Sequence, residues 1–299
     1  MLTARRNVLA HVADGAPEWS WGEVVTHWHL EPLTVVALCT VPVAYGAAVA
    51  LLRRRGARWP AVRSWAMAGA LAALAVGLAS GLAGYESSLF SAHAGQHLLL
   101  GMIAPLLVVL AAPVTLALRV APPTWRPRLH RVLRHPVLGS LAHPVVGWTL
   151  FGGTLVALYL TPLYELSLRN DLVHGWLHLH LFAAGFLFYW PLVGADPLPR
   201  RPDHLIRLLA VVVAVPFHAF VAVALLTTNS PLAMDWYRQT TGRSAQEVLA
   251  DQRTGAGLLW VAGELLSVAA IGIVVARWVS HEQRVAERSE RLSAVAVPS

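Results

Sequence analysis

Seven stretches of the chain are apolar almost without interruption: residues 32–52, 65–83, 96–118, 145–163, 172–194, 205–227 and 255–276. Each approaches the roughly 20 residues that a helix needs to cross the hydrocarbon core of a bilayer. None alternates apolar with polar at period two, and each runs well past the roughly ten residues of a barrel strand. The pattern predicts an all-α integral membrane protein, a seven-transmembrane helix bundle. The second and fourth runs are the shortest, and Pro162 limits the fourth.

The residues between the runs carry the orientation. All 23 basic residues are arginine. They cluster after the first run (Arg53, Arg54, Arg55, Arg58, Arg63) and after the third (Arg119, Arg126, Arg128, Arg131, Arg134). Further clusters follow the fifth (Arg200, Arg201, Arg207) and the seventh (Arg277, Arg284, Arg288, Arg291). The alternate loops are arginine-poor: none in 84–95, Arg169 alone in 164–171, three in 228–254. Positive charge is retained on the cytoplasmic side of short loops. The N-terminus is therefore expected outside the cytoplasm and the C-terminus inside, with Arg5 and Arg6 the exceptions. The organisation expected is an exterior arm over 1–31, a membrane domain over 32–276 and a cytoplasmic tail over 277–299. The exterior loop 228–254 is long for a connector. Ser244 and Glu247 have capping-box spacing, which predicts a short helix over the bundle mouth ending near Asp251.

Composition agrees: 56% of residues are hydrophobic and 13% charged, against roughly a quarter charged in soluble domains. The net charge of +7 sits in loop clusters rather than on one face of a soluble domain, which excludes a nucleic-acid binder. A single cysteine, Cys39, excludes a disulfide framework and any CxxC metal site. Soft-metal binding must then rest on histidine or methionine.

Intramembrane ionisable residues are costly and mark function by default. His93 and His97 stand four apart at the outer mouth of the third run, and His174 and His178 four apart at the outer end of the fifth. Residues so spaced share one helix face. His218 and Glu264 each lie nine residues from the outer end of their runs, about 13–14 Å in. Five histidines and a carboxylate thus fall in the outer half of the bundle, and helix bundles build metal sites from facing helices in this way. The plainer readings are solvated interfacial pairs, a neutral buried His218 bonded to a backbone carbonyl, and a neutral Glu264 bonded within its own helix. Met102 is rotated roughly 140° from His97, His180 points nearly opposite to His178, and Cys39 reads as small apolar filler. His27 and His29 flank Trp28 before the first run and read as interfacial anchors. No HExxH, GxSxG or phosphate-binding glycine loop is present, so metal handling or assembly is expected rather than an enzyme.

Four segments resemble one family. They are His93-Ala-Gly-Gln-His97 running on to Ala112-Pro113-Val114-Thr115, His178-Leu-His180 through Trp190-Pro191 to Asp196-Pro197, Val215-Pro216-Phe217-His218, and Asp251-Gln252-Arg253 through Trp260 to Gly263-Glu264. Together they resemble the CtaG-type cytochrome c oxidase assembly factors. The resemblance implies a multi-pass protein of the bacterial plasma membrane that helps mature a haem–copper oxidase by supplying copper. Its partners would be oxidase subunits, an extracytoplasmic copper donor and membrane lipid. His93, His97, His178 and His218 match histidines of the family pattern, and Asp251 and Glu264 its acidic positions; His174 is included on physical grounds. The copper-ligand expectation is therefore His93, His97, His174, His178 and His218, supported by Glu264 and Asp251. Two alternatives remain open: a proton- or cation-coupled transporter using Glu264 and His218, and a membrane protein binding haem between paired histidines.

Overall fold

The computed structural model describes residues 22, 26, 28, 31–198 and 201–296, with side chains through 292. The exterior arm expected over 1–31 falls almost wholly outside these residues, as do His27, His29 and Arg200. The described chain is helical. Helix α1 spans Pro32–Arg54 and α2 Ala61–Ala79, and Ser80 breaks the run before the short α3, Gly81–Tyr85. Helix α4, Phe90–Leu98, passes through a π turn at Leu99–Ile103 into α5, Ala104–Ala111, and then α6, Pro113–Val120. Two short helices follow, α7 (Arg126–Leu133) and α8 (Pro136–Leu141). Beyond them come α9 (Pro144–Leu160), α10 (Leu163–Arg169), α11 (Asp171–Val193) and α12 (His204–Thr227). Helix α13, Met234–Thr241, precedes α14, Ala245–Ala296.

Six helical runs are long and apolar enough to cross a membrane, and counting the pair α9 and α10, bent by 77° at its break, as one span gives seven. Pro162 lacks the amide that would continue α9, and the Thr161 hydroxyl bonds back to the Ala157 carbonyl. The fourth apolar run, expected as one helix over 145–163, is therefore a 17-residue helix with a bent continuation.

One apolar core runs through α4, α5, α9, α11, α12 and α14, including Phe90, Leu158, Tyr189, Val211 and Leu259. Helix α1 packs chiefly on α2 and α6 and leaves most of its surface open, as a lipid-facing helix does. The arginine-bearing ends meet at one end of the bundle. There Arg55 donates to Val120 O at 3.0 Å, and Arg277 bonds the Val193 carbonyl at the C-terminus of α11. The opposite end carries Glu86, His93 and His174.

The capping box is present: Ser244 N donates to Glu247 Oε2 at 2.8 Å and Glu247 N to Ser244 Oγ at 3.3 Å. It caps a different helix from the one expected. The stretch after Ser244 continues without a break as α14, 52 residues long and about 78 Å at 1.5 Å per residue. The helix that lies over the bundle mouth is α13. Trp236 Nε1 donates to Ser87 O at 2.8 Å, and the Tyr237 and Tyr164 hydroxyls meet at 2.5 Å. The tail expected beyond 277 is helical as far as Ala296.

Candidate metal centre

Helix α4 brings His93 and His97 to one face, with ring centroids 3.9 Å apart, and α11 does the same for His174 and His178 at 4.4 Å. The two faces meet: His93 lies 5.7 Å from His174, and His97 lies 6.4 Å from His178. This is not a solvated mouth, for His93 is 0% and His97 3% exposed. His174 and His178 are half-open, at 14% and 15% of side-chain surface.

The fifth group is Glu86, in the connection before α4. Its Oε1 lies 3.0 Å from His174 Nε2 and its Oε2 3.8 Å from His178 Nε2. The ligand atoms of Glu86, His174 and His178 all fall within 4.8 Å of one another. Glu86 Oε2 and His174 Nε2 are nevertheless without an aligned hydrogen bond, so lone-pair atoms converge without satisfying each other. Burial raises the Glu86 carboxyl, but the His174 ring, then His178 and Gln96, outweigh it and hold the group below the usual carboxylate range.

Around this cluster stands a layer of positioning groups. The Gln96 amide donates to Gly77 O at 2.8 Å and so turns its oxygen to His178 Nε2 at 3.1 Å. The Tyr159 hydroxyl meets His97 Nδ1 at 3.0 Å, which leaves His97 Nε2 buried with no partner. Both ring nitrogens of His93 are also buried and unpartnered, with the Tyr164 ring edge-on at 4.8 Å. Metal-ligating imidazoles are commonly fixed in this manner, one nitrogen held and the other left for the ion. Unsatisfied buried polar atoms are rare, and a missing ion is one of their ordinary causes.

The close crossing of α4–α5 and α11 sets this geometry. Pro105 cannot donate to Gly101 O and its ring crowds that carbonyl, and the chain widens there into the π turn. Gly185 of α11 packs onto Gly101 O and Pro105, where a Cβ would collide. Small residues let membrane helices approach to backbone contact. His97 is one turn above Gly101 and His178 two turns above Gly185, so the crossing aims both rings inward.

The other predicted residues lie elsewhere. His218 is buried against Gly263 of α14, with Nδ1 unpartnered. Among the described residues no ring contact, hydrogen bond or ion pair joins it to the four histidines or to the half-buried Glu264. Asp251 accepts from Ser91 N at 3.3 Å and Ser91 Oγ at 2.5 Å, tying α14 to the first turn of α4. Its bonds go to Ser91, two residues before His93. Met102 is in the apolar core and Cys39 is exposed on α1. His180 points away from the cluster, bonding Thr154 at 2.7 Å and stacking on Trp176. Glu86 was missed by the reading of the residues, although a signal existed. It is the only acidic residue between Glu31 and Glu165, placed at the mouth of an apolar run.

Residues 43–281 match the model of a family described as cytochrome c oxidase caa3 assembly factor. Uncharacterized proteins of Mycobacterium bovis and Mycobacterium tuberculosis are each 36% identical over 275 residues, covering 90% of this chain and 42% of theirs. One from Mycobacterium leprae is 34% identical over 273 residues, covering 89% and 41%. The chain thus spans about two fifths of the length of the curated relatives it matches. No solved structure matches it.

Proposed function

The chain belongs to the cytochrome c oxidase caa3 assembly factor family, and on that premise we propose that His93, His97, His174, His178 and Glu86 bind copper for delivery to an oxidase subunit. The observation that carries this reading is the convergence of the ligand atoms of Glu86, His174 and His178 beside the His93–His97 pair, whose buried nitrogens include three with no protein partner. Imidazole with carboxylate suits copper or zinc, and copper binds such donors the more tightly. The family's oxidase supplies the reason for copper as cargo. Packing of the four rings against one another, rather than across a planar gap, favours an ion over haem. Asp251 holds the first turn of α4, and His218 with Glu264 stays outside the ligand set.

In this proposal the histidine end faces the exterior of a bacterial plasma membrane, the arginine end faces the cytoplasm, and the C-terminus is cytoplasmic. Copper arrives from an exterior donor at the half-open His174 and His178, which lie beside the connection bearing Glu86. The buried His93 and His97 retain it. The role is one of holding and passing a metal ion, not of catalysis.

Metal analysis of the purified full chain, loaded with copper and stripped of free ion by a weak chelator, tests this. Wild type is expected to retain copper without a haem Soret band. His97→Gln, which preserves buried volume, and His178→Ala, at a half-open position, are each expected to lose it while remaining in the membrane at normal level. Full copper in both variants removes the cluster as the site, and a Soret band in wild type moves the reading to haem.

A further inference from the structure

At the arginine end, the last turn of α1, the start of α2 and the end of α6 border an open cavity of about 680 Å³ lined by Arg53, Arg58, Arg63 and Arg119. Its floor is Trp59, which is buried and pinned from beneath. The indole Nε1 donates to the Tyr45 hydroxyl at 3.1 Å, and that hydroxyl donates to Ala111 O at 3.0 Å. The guanidinium of Arg63 sits 4.8 Å and that of Arg119 5.8 Å from the centre of the Trp59 ring. Arg119 also reaches the Arg58 carbonyl at 3.5 Å.

No ion pair among the described residues joins any of these four arginines to a carboxylate. Asp196, behind α6, is committed: its oxygens accept from Val114 N at 3.2 Å and from Thr115 N and Oγ1 at 2.6 Å. Retention of positive charge on one side of a membrane accounts for arginines in this loop. It does not account for two guanidiniums set over a fixed indole at an open cleft with no paired carboxylate among the described residues. Guanidinium forks match phosphate oxygens bidentately, and basic pockets between membrane helices bind anionic headgroups. The flank is apolar and open, with Leu51, Val62 and Trp65 exposed, and an exposed tryptophan at this level is an interfacial residue.

We propose that this cavity binds the phosphate group of an anionic phospholipid, whose acyl chains lie along the exposed faces of α1 and α2. The chemistry recognised is a phosphate anion, and the apolar flank is what selects a lipid over free phosphate. Bound there, the lipid bridges three helical segments, α1, α2 and α6, that otherwise meet through few contacts.

Native mass spectrometry of the detergent-purified full chain, titrated with phosphatidylglycerol or phosphatidylcholine at equal concentration, tests the site. Phosphatidylglycerol is expected to be retained preferentially. Surface arginines are worth about 5-fold each toward anionic lipid, so Arg63→Gln/Arg119→Gln is expected to lower that retention by roughly 25-fold. Arg128→Gln/Arg131→Gln, at the same end but away from the cavity, is the control and is expected to keep it. Millimolar inorganic phosphate is expected not to displace the lipid; displacement would identify free phosphate as the ligand of the same site. Equal retention of the two lipids, or unchanged retention in Arg63→Gln/Arg119→Gln, overturns the proposal.

Discussion

His93 is enclosed by protein on every side, and neither ring nitrogen has a hydrogen-bond partner. A buried polar group left unpaired costs about 1–3 kcal/mol, whereas an apolar group of the same shape in its place is neutral or stabilising. This separates a structural histidine from one kept for a ligand. His93→Phe retains the edge-on ring contact with Tyr164 and removes the orphaned nitrogens. Thermal unfolding of the metal-free chain is therefore expected at the wild-type temperature or above, with copper affinity lost; a destabilised variant that still binds copper would assign His93 to the fold. The histidine pairs were legible because i,i+4 spacing is a local property of a helix. Glu86 was not, because what makes it a candidate ligand is its distance to His174, set by packing between segments remote in sequence. The rotation of His218 and Glu264 was not legible for the same kind of reason. Equal depth in two helices says nothing about rotation, and it is Gly263 of α14, not Glu264, that faces the His218 ring.

Between residues and molecule stand the helix interruptions, which do most to place the site. Apolar length located the six long candidate spans and the bent pair α9–α10, yet it carries no information on the breaks at Ser80, Ala112 and Thr161-Pro162. Nor does it reveal that α14 runs on in both directions past its apolar part. Ala112 takes φ 53 between α5 and α6, a conformation that L-residues rarely adopt. Asp196 caps α6 there from the far side of the sequence, joining two of the segments that carried the family resemblance. The capping box at Ser244 was legible as chemistry, but which helix it starts depends on how far that helix continues. Of these devices, the Gly101–Gly185 crossing bears most directly on the centre. A methyl group on Gly185 meets Gly101 O and Pro105, and overpacking of this kind costs about 1–3 kcal/mol. Gly185→Ala is expected to lower the unfolding temperature and weaken copper binding together, since the helices part just below the histidines. Gly153→Ala, where nothing lies within 4 Å of the added atom, is expected to change neither; loss of stability in Gly185→Ala with copper affinity intact would show that the crossing does not position the rings.

The polarity of the whole molecule, histidines at one end and arginines at the other, depends on α9 crossing from one to the other. At 17 residues it reaches about 25 Å, short of the ~30 Å hydrocarbon core, so length alone does not decide. The contacts at its far end are more telling. Tyr159, in its last turn, bonds His97, and Tyr164, just past the break, packs on His93. Its first residue follows the arginine-bearing α7 and the short α8. Helix α11 then begins at the histidine end with His174 beside Glu86, which it can do only if the chain has already crossed. Reporter fusions after Arg58, Arg131, Arg201 and Arg284 are therefore expected to read cytoplasmic, and fusions after Ser88, Asn170 and Gly242 exterior. The pair at Arg131 and Asn170 is decisive, because the two differ only by passage through α9 and α10. The same side for both would leave α9 within one leaflet and end the seven-crossing arrangement. Opposite sides with every sign reversed would keep the bundle but turn the histidine cluster toward the cytoplasm, where an exterior copper donor has no access to it.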